Sequence, residues 1–224
     1  MKQTKTSKKP TTRRTQTERK ETSDRKMFAA ATKLILERGT VRTTLKDIGE
    51  KAGYSRGLAQ ARFGNKEQLY HELIGLYGRR WSEELDNFVA NKRGLDALFA
   101  ATDALEDFLE SAPDQLRVMY ILWFESVGAG AVLRNRLKAM HETSRTDVKR
   151  WIDQAKDDGS VHPELDARYF SDLYCSFVFG LIYQWLVNPA VFDLPGLLAT
   201  VRSQLRLILQ QAALPESRKT GKLA

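Results

Sequence analysis

Residues 44–64 read TLKDIGEKAGYSRGLAQARFG and decide the fold of the amino-terminal part of the chain. Thr44, followed three residues later by Asp47, approximates a capping box, which predicts the start of a short helix that ends at Gly53. Ser55 is a suitable N-cap for a second short helix. Two short helices joined by such a tight turn predict a helix-turn-helix.

Helical spacing of apolar residues continues on both sides of this segment. The residues from Phe28 to Arg38 predict a preceding helix that stops at Gly39, and Asn65 predicts the start of a following helix over residues 66–81. Longer helices are predicted over residues 95–110, 115–127, 131–158, 164–187 and 197–214. Because no alternating strand pattern of useful length occurs, we expect an all-α fold of about nine helices.

The positive charge of the chain is concentrated at its amino-terminal end. Residues 1–26 contain ten Lys and Arg against three Asp and Glu, residues 27–66 contain eight against three, and residues 67–224 contain 18 against 22. The net charge of +8 therefore divides into +7, +5 and −4. This asymmetry predicts a polyanion-binding head attached to a part with another role.

These patterns divide the chain into four predicted parts. They are a disordered basic tail over residues 1–21, a three-helix helix-turn-helix DNA-binding domain over 22–70, a larger helical domain over 71–214, and a flexible tail over 215–224. The first tail is polar and basic, which is typical of disorder. Basic arms of this kind also lie along the DNA backbone or enter a minor groove, and the composition leaves both interpretations open.

Three segments carry a resemblance to a known family. They are AAATKLILERG over residues 29–39, TTLKDIGEKAGYSRG over 43–57 and FGNKEQLY over 63–70. Together they resemble the amino-terminal DNA-binding domain of the tetracycline-repressor-like (TetR) family of bacterial transcriptional regulators, over about a fifth of the chain. The resemblance implies an all-helical homodimer whose carboxy-terminal domain binds a small effector, and effector binding then releases the operator. One position departs from the family pattern, because Gln60 stands where many members have a Tyr that touches backbone phosphate.

Residues around the predicted helix-turn-helix are candidates for contact with double-stranded DNA at a palindromic operator. Arg suits guanine and Gln suits adenine in the major groove, so Arg56, Gln60 and Arg62 are candidates for reading bases, or else for contacting phosphate. We expect Leu58 to face the domain core. Helix starts attract phosphate through their free N–H groups. The remaining candidates at helix starts and on the same positive face are Arg42, Thr44, Lys46, Tyr54, Ser55 and Lys66.

Aromatic residues in the carboxy-terminal part could line an effector cavity or simply fill the core. The candidates are Tyr120, Trp123, Phe124, Tyr174, Phe177 and Trp185. Glu125 and Asp172 could fix a ligand, pair with Arg117 or Arg168, or face water. The last two predicted helices are apolar enough to require covering on several sides, so we expect them to form a four-helix homodimer interface, with a thick monomeric core as the alternative.

The sequence argues against several other classes of protein. The single Cys175 excludes an intrachain disulfide and any multi-cysteine metal site. Neither His71-Glu72 nor His141-Glu142 continues into a zinc-protease motif, so we expect no enzyme, cofactor or metal. The amino terminus lacks an apolar signal segment, and the apolar residues 173–187 are short of a bilayer span, so we expect a cytoplasmic protein that does not enter a membrane. The alternative function is a less specific architectural DNA-binding protein without an effector.

Overall fold

Nine helices and no strands occupy the part of the chain that the computed structural model describes, residues 15–128 and 131–211. The predicted all-α fold is therefore confirmed. The helices are α1 (Gln16–Arg38), α2 (Leu45–Lys51), α3 (Arg56–Phe63), α4 (Lys66–Val89), α5 (Gly94–Ser111), α6 (Pro113–Gly128), α7 (Ala131–Asp157), α8 (Ala167–Val187) and α9 (Leu194–Gln211). The chain divides into an amino-terminal unit that ends at Lys66 and a carboxy-terminal unit that begins at Glu67.

The first helix begins earlier than the sequence interpretation placed it. Residues 16–21 were expected to belong to a disordered tail, but α1 starts at Gln16. The reason is a capping box: the Glu18 backbone N–H donates to the Thr15 hydroxyl at 3.2 Å, and the Thr15 backbone N–H donates to the Glu18 carboxylate at 2.8 Å. The rest of the predicted amino-terminal tail, residues 1–14, and the predicted tail 215–224 lie outside the described residues.

The later helices also differ from the predicted bounds. The helix that starts at Lys66 was expected to end near Trp81, but α4 continues to Val89 because no Gly or Pro interrupts residues 79–89. The helix expected from residue 164 begins at Ala167, since the Asp166 carboxylate accepts from two backbone N–H groups and caps it there. The last helix begins at Leu194 rather than 197.

Each unit has its own apolar core. In the amino-terminal unit, α1 buries Met27, Ala31 and Ile35, and the two short helices bury Ile48 and Phe63. The carboxy-terminal unit has two buried clusters, one built around α5, α7 and α8 and the other around α5, α6, α8 and α9.

Helix α8 is the one helix of the described chain long and apolar enough to cross a membrane by length and composition, a test that the core helix of a soluble protein also passes. It contributes Phe170 and Cys175 to one buried cluster and Leu181 and Ile182 to the other. The expectation of a buried apolar helix holds for this face. The opposite face is exposed at Leu173, Phe177, Tyr183 and Val187.

Candidate nucleic-acid interface and ligand cavity

The turn between α2 and α3 is built by two glycines. Gly53 has φ 80°, a left-handed conformation that Gly adopts without strain. Gly49 lies where the helices approach each other: a Cβ on this residue would lie 3.0 Å from the Ser55 carbonyl oxygen and 3.6 Å from the Ala59 Cβ. The Tyr54 backbone N–H donates to the Gly49 carbonyl at 2.9 Å and fixes the turn. The predicted helix-turn-helix is present.

Helix α3 buries only Ala59 and Phe63, which are four residues apart and so share a face. Leu58, expected to face the core, is exposed, because it is displaced by about 100° from Ala59 around the helix. The candidates Ser55, Arg56 and Gln60 are also exposed. Ser55 occupies the N-cap position without a side-chain capping bond, so its hydroxyl is not used by the helix.

Three polar side chains of α3 contact other residues of the amino-terminal unit. Arg62 forms a bidentate ion pair with Asp24 of α1, with its Nε and Nη2 atoms 2.9 Å from the carboxylate oxygens. The guanidinium also lies 4.7 Å from the centre of the Phe63 ring. Gln60 donates from its amide to the Gly64 carbonyl. Arg56, whose Nε lies 2.5 Å from Glu50, remains largely exposed.

The start of α2 carries a confirmed capping box. The Asp47 backbone N–H donates to the Thr44 hydroxyl at 3.2 Å, and that hydroxyl lies 2.7 Å from the Asp47 carboxylate. The hydrogen bond from Thr44, together with the nearby Arg38 guanidinium, holds the pKa of Asp47 below its usual range. Because the Thr44 hydroxyl is occupied, the free donors at this helix start are backbone N–H groups. The exposed side chains of Arg42 and Lys46 lie beside it in sequence.

The last two DNA-binding candidates are half-buried. The Lys66 ammonium donates to the Thr40 carbonyl at 3.0 Å, which leaves two of its three protons for another partner. The Tyr54 ring lies 5.7 Å from the Lys26 ammonium of α1. A groove beside α3 is formed by α1 and α3 residues together with Tyr54, and it includes Arg19 and Lys20. The structure thus adds cations of α1 to the face that carries the predicted candidates.

An apolar cavity of about 120 Å³ lies inside the carboxy-terminal unit. Of the six aromatic candidates, Tyr120, Trp123 and Tyr174 line it. Their neighbours in its wall include Trp81, Leu85, Leu105, Phe108, Met119, Met140, His141, Ser144, Asp147, Val148, Trp151, Cys175 and Phe179. More helices line the cavity than predicted, since α4, α5 and α7 contribute residues to its wall as well as α6 and α8.

The other three aromatic candidates do not line this cavity. Phe124 is exposed, with its ring 5.0 Å from that of Tyr183, and Phe177 lies on the exposed face of α8. Trp185 packs against the buried cluster around Leu181 and Leu194. The reason is helical period: Phe124 follows the cavity residue Trp123 directly and so points about 100° away from it.

The cavity wall contains a few polar groups. The Trp123 Nε1 and His141 Nε2 atoms are buried without a hydrogen-bond partner in the described chain. Burial, assisted by the positive charge of Arg145, lowers the pKa of His141, so the imidazole is held neutral. Burial raises the pKa of Tyr174 to about 12 and that of the Cys175 thiol to about 11. The Tyr174 hydroxyl lies 3.1 Å from the Thr102 hydroxyl.

The two carboxylates singled out in the apolar helices do not line the cavity. Asp172 lies 2.8 Å from the Arg145 guanidinium and 3.5 Å from that of Arg168, which was one of the alternatives left open by the sequence. Glu125 is exposed on α6. Within the described residues, no group of three or more His, Cys, Asp or Glu side chains is placed to hold a metal ion.

Known proteins share both the sequence pattern and the fold. A family model described as "Bacterial regulatory proteins, tetR family" matches residues 28–73. The HTH-type transcriptional regulator TtgR of Pseudomonas putida is 26% identical over 189 residues, which are 82% of this chain and 89% of that relative. The solved structure of SmeT, the repressor of the Stenotrophomonas maltophilia multidrug efflux pump SmeDEF, has a TM-score of 0.67 at 21% identity and covers 82% of this chain and 88% of its own.

Residues 28–73, which include α2 and α3, therefore match the DNA-binding part of the tetR family of bacterial regulatory proteins. The chain is thus a DNA-binding regulator whose helix-turn-helix is formed by α2 and α3. The TetR family contains transcriptional regulators rather than enzymes.

Sequence reasoning missed three groups of residues that the structure places at the sites. The α1 cations Arg19 and Lys20 could have been found from the Thr15 and Glu18 pattern, which is a capping box in the sequence. Asp24, the partner of Arg62, is 38 residues away and has no local signal. The cavity residues Trp81 and His141 have charged neighbours in the sequence, so the apolar pattern did not mark them as cavity residues.

Proposed function

We propose that this protein binds a palindromic DNA operator as a homodimer and leaves it when a small molecule enters the cavity of the carboxy-terminal unit. The observation that carries the DNA-binding part is the outer face of α3. A helix with only Ala59 and Phe63 buried presents the rest of its surface to a partner, and a short helix of this kind fits the major groove.

The residues that contact DNA in this proposal fall into two groups. Arg56, Leu58 and Gln60 of α3 meet base edges, with Leu58 suited to a thymine methyl group. The proposed phosphate contacts come from helix starts and the basic face around them, namely Arg42, Thr44, Lys46, Tyr54, Ser55 and Lys66. Arg62 is assigned a bracing role, because its guanidinium is held by Asp24.

The test is to select bound fragments from the source genome and then to measure affinity for the selected operator by gel shift. Arg56→Ala should weaken operator binding by about tenfold or more, since a base contact contributes about 1–3 kcal/mol. Lys92→Ala, which removes an exposed charge from the carboxy-terminal unit, is the control. Equal affinity for the operator and for random DNA at fixed salt would instead support the architectural alternative.

Dimerisation is proposed from the uncovered apolar face of α8 and α9. On α8 this face carries Leu173, Phe177 and Val187, and on α9 it carries Leu197 and Leu207, all of them exposed. At about 100° per residue, the three α8 residues lie within about 80° of one another around their helix, and the two α9 residues are about 80° apart, so each set lies on one side of its helix. A second copy of the same two helices would cover both stripes in a two-fold four-helix interface.

The oligomeric state can be measured by sedimentation equilibrium at micromolar concentration. Phe177→Glu should convert the dimer to a monomer because it places a charge in the middle of the apolar face. Val41→Glu also places a charge at an exposed apolar residue, but in the amino-terminal unit, and should leave the dimer intact. A wild-type protein that sediments as a monomer would contradict this part of the proposal.

Ligand responsiveness is proposed from the cavity and from the path of α4. This helix begins at Lys66, which is bonded to Thr40, and its residues Trp81 and Leu85 line the cavity. A ligand shifts the protein away from DNA only if it binds the released conformation more tightly. A solved relative, the SmeT–triclosan complex, has the same fold at 20% identity and holds a small molecule, which supports the role of the cavity.

A disulfide between α4 and α7 tests whether α4 transmits the ligand signal. Gly78→Cys and Met140→Cys, in a Cys175→Ser background, would join positions where a Cβ on residue 78 lies 3.8 Å from the Met140 sulfur. The oxidised protein should bind the operator and fail to release it, whereas the reduced protein should still respond. Release from the oxidised protein would show that α4 is not the transmitting element.

A further inference from the structure

A groove of about 300 Å³ between α4 and α7 lies next to the apolar cavity described above. The two share the wall residues Trp81, Leu85, Met140, Ser144 and Asp147. The cavity and the groove are therefore neighbours, with these five side chains on their common boundary. The cavity wall is apolar and aromatic, whereas the groove contains two guanidinium groups.

Both guanidinium groups converge on one glycine of α4. A Cβ on Gly75 would lie 2.9 Å from the Arg136 Nη2 atom and 3.5 Å from the Arg79 Nη1 atom, so both nitrogens lie over the same point of the helix. Gly75 itself is buried, and its missing side chain is what allows Arg136 of α7 to approach α4 this closely. Two like charges held near one point repel each other, and an anion placed between them would relieve that repulsion.

No protein anion in the described part of the chain neutralises this pair. Neither Arg79 nor Arg136 forms an ion pair or a side-chain hydrogen bond there. Asp147 is the acidic residue that lines the groove, and its carboxylate already lies 2.8 Å from the Arg150 guanidinium. The groove therefore has an excess of positive charge next to an apolar cavity.

We infer that Arg79 and Arg136 bind the carboxylate of an amphipathic organic anion whose apolar part occupies the cavity lined by Trp81 and Trp123. The planar guanidinium groups match a carboxylate by paired N–H donors, and the absence of a competing carboxylate leaves those donors available. The inference rests on the ligand-responsive function proposed above, since it names the chemical class of the ligand for the same cavity.

The test uses three probes with the same alkyl chain and different head groups: decanoate, decan-1-ol and decylammonium. Binding is measured without DNA, by calorimetry and by intrinsic tryptophan fluorescence, since Trp81, Trp123 and Trp151 lie in the cavity wall. The wild-type protein should bind decanoate more tightly than the alcohol or the cation. Arg136→Gln and Arg79→Gln should each weaken decanoate binding by about tenfold to a hundredfold and leave decan-1-ol binding unchanged.

Gly75→Ala provides an independent variant that keeps both arginines. Its added Cβ displaces the Arg136 guanidinium, while the higher helix propensity of Ala favours the folded α4. Decanoate binding should fall as in Arg136→Gln. Lys138→Gln removes one exposed charge from the same helix, α7, and should leave decanoate binding unchanged.

The inference is overturned if decanoate does not bind, if it binds no more tightly than decan-1-ol, or if Arg136→Gln and Gly75→Ala keep wild-type affinity for it. The proposed function fails separately, in a second measurement with the selected operator. If decanoate binds through the arginines and the operator complex persists, the anion site stands and the ligand-responsive role is refuted. If other compounds release the operator and decanoate does not bind, the ligand-responsive role stands and the anion site is refuted.

Discussion

Truncation of two arginines of the same helix, α3, is expected to change two different properties of the protein. Arg62→Ala should lower the free energy of unfolding, and Arg56→Ala should lower DNA affinity with little effect on folding. The Arg62 side chain is 25% exposed and is bonded to Asp24, which is 17% exposed, whereas the Arg56 side chain is 74% exposed. Because Arg62 is more buried than Arg56, Arg62→Ala should change mainly the free energy of unfolding, and Arg56→Ala should change mainly the free energy of DNA binding.

The expected loss for Arg62→Ala follows from its contacts. Hydrogen bonds between charged groups contribute about 1.5–3 kcal/mol, and truncation leaves the half-buried Asp24 carboxylate without its partner. The guanidinium over the Phe63 ring adds about 0.5–1 kcal/mol. Because a quarter of the Arg62 side chain is still in water, we expect a total of about 2–3 kcal/mol. For Arg56→Ala, an exposed site, we expect a change of less than about 0.5 kcal/mol.

The assay is urea unfolding of four proteins: wild type, Arg62→Ala, Asp24→Ala and the double variant. The coupling free energy between the two residues should be about 1–2 kcal/mol. Operator affinity is then measured for Arg62→Ala and Arg56→Ala with single base-pair changes in the selected site. The reasoning is refuted if the coupling is near zero, or if Arg62→Ala relaxes the preference at one base pair while its stability equals that of the wild type.

Three further predictions concern packing and protonation. Gly49→Ala should destabilise the amino-terminal unit by about 1–2 kcal/mol, since its Cβ would press on the Ser55 carbonyl. Gly57→Ala, the control, has open space around its Cβ and should not destabilise the unit. Equal stability of the two variants would contradict the close approach of α2 and α3. Burial raises the pKa of Cys175 from 9.0 to about 11. Its thiol in the folded protein should therefore react with a disulfide reagent at pH 8 about a hundredfold more slowly than in the unfolded chain. Comparable rates in the two states would show that the thiolate forms readily in the folded protein. The pKa of His141 is lowered in the folded protein, so the unfolded state takes up the proton first as the pH falls. The stability of the wild type relative to His141→Phe should therefore fall as the pH drops through 6.5. A stability difference between the two proteins that does not vary between pH 8 and pH 5 would argue against a buried neutral imidazole.

The sequence predicted the local features of the fold well, because they depend on neighbours along the chain. The capping box at Thr44, the turn at Gly53 and the α3 start after Ser55 are short-range patterns and occur where expected. The end of α4 was placed too early, although Leu85, Phe88 and Val89 follow Trp81 at helical spacing and no stop signal lies between them. Boundaries without a cap or a breaker are weakly marked in any sequence.

The sites were less predictable because they depend on contacts between distant residues. Phe124 and Phe177 have the composition of cavity residues, but their position around the helix places them outside. Arg62 has the chemistry of a base-reading residue, and its partner on α1 could be recognised only in three dimensions. The convergence of Arg136 on Gly75 likewise joins residues 61 positions apart.

The sparse buried face of α3 affects how this regulator can diverge after gene duplication. Since Ala59 and Phe63 are the buried residues of the helix, a paralogue can exchange Arg56, Leu58 or Gln60 for side chains that prefer a different promoter. Each such exchange at a solvent-facing position changes stability by less than about 0.5 kcal/mol. New regulatory targets can therefore arise in single steps, without compensating changes elsewhere in the head.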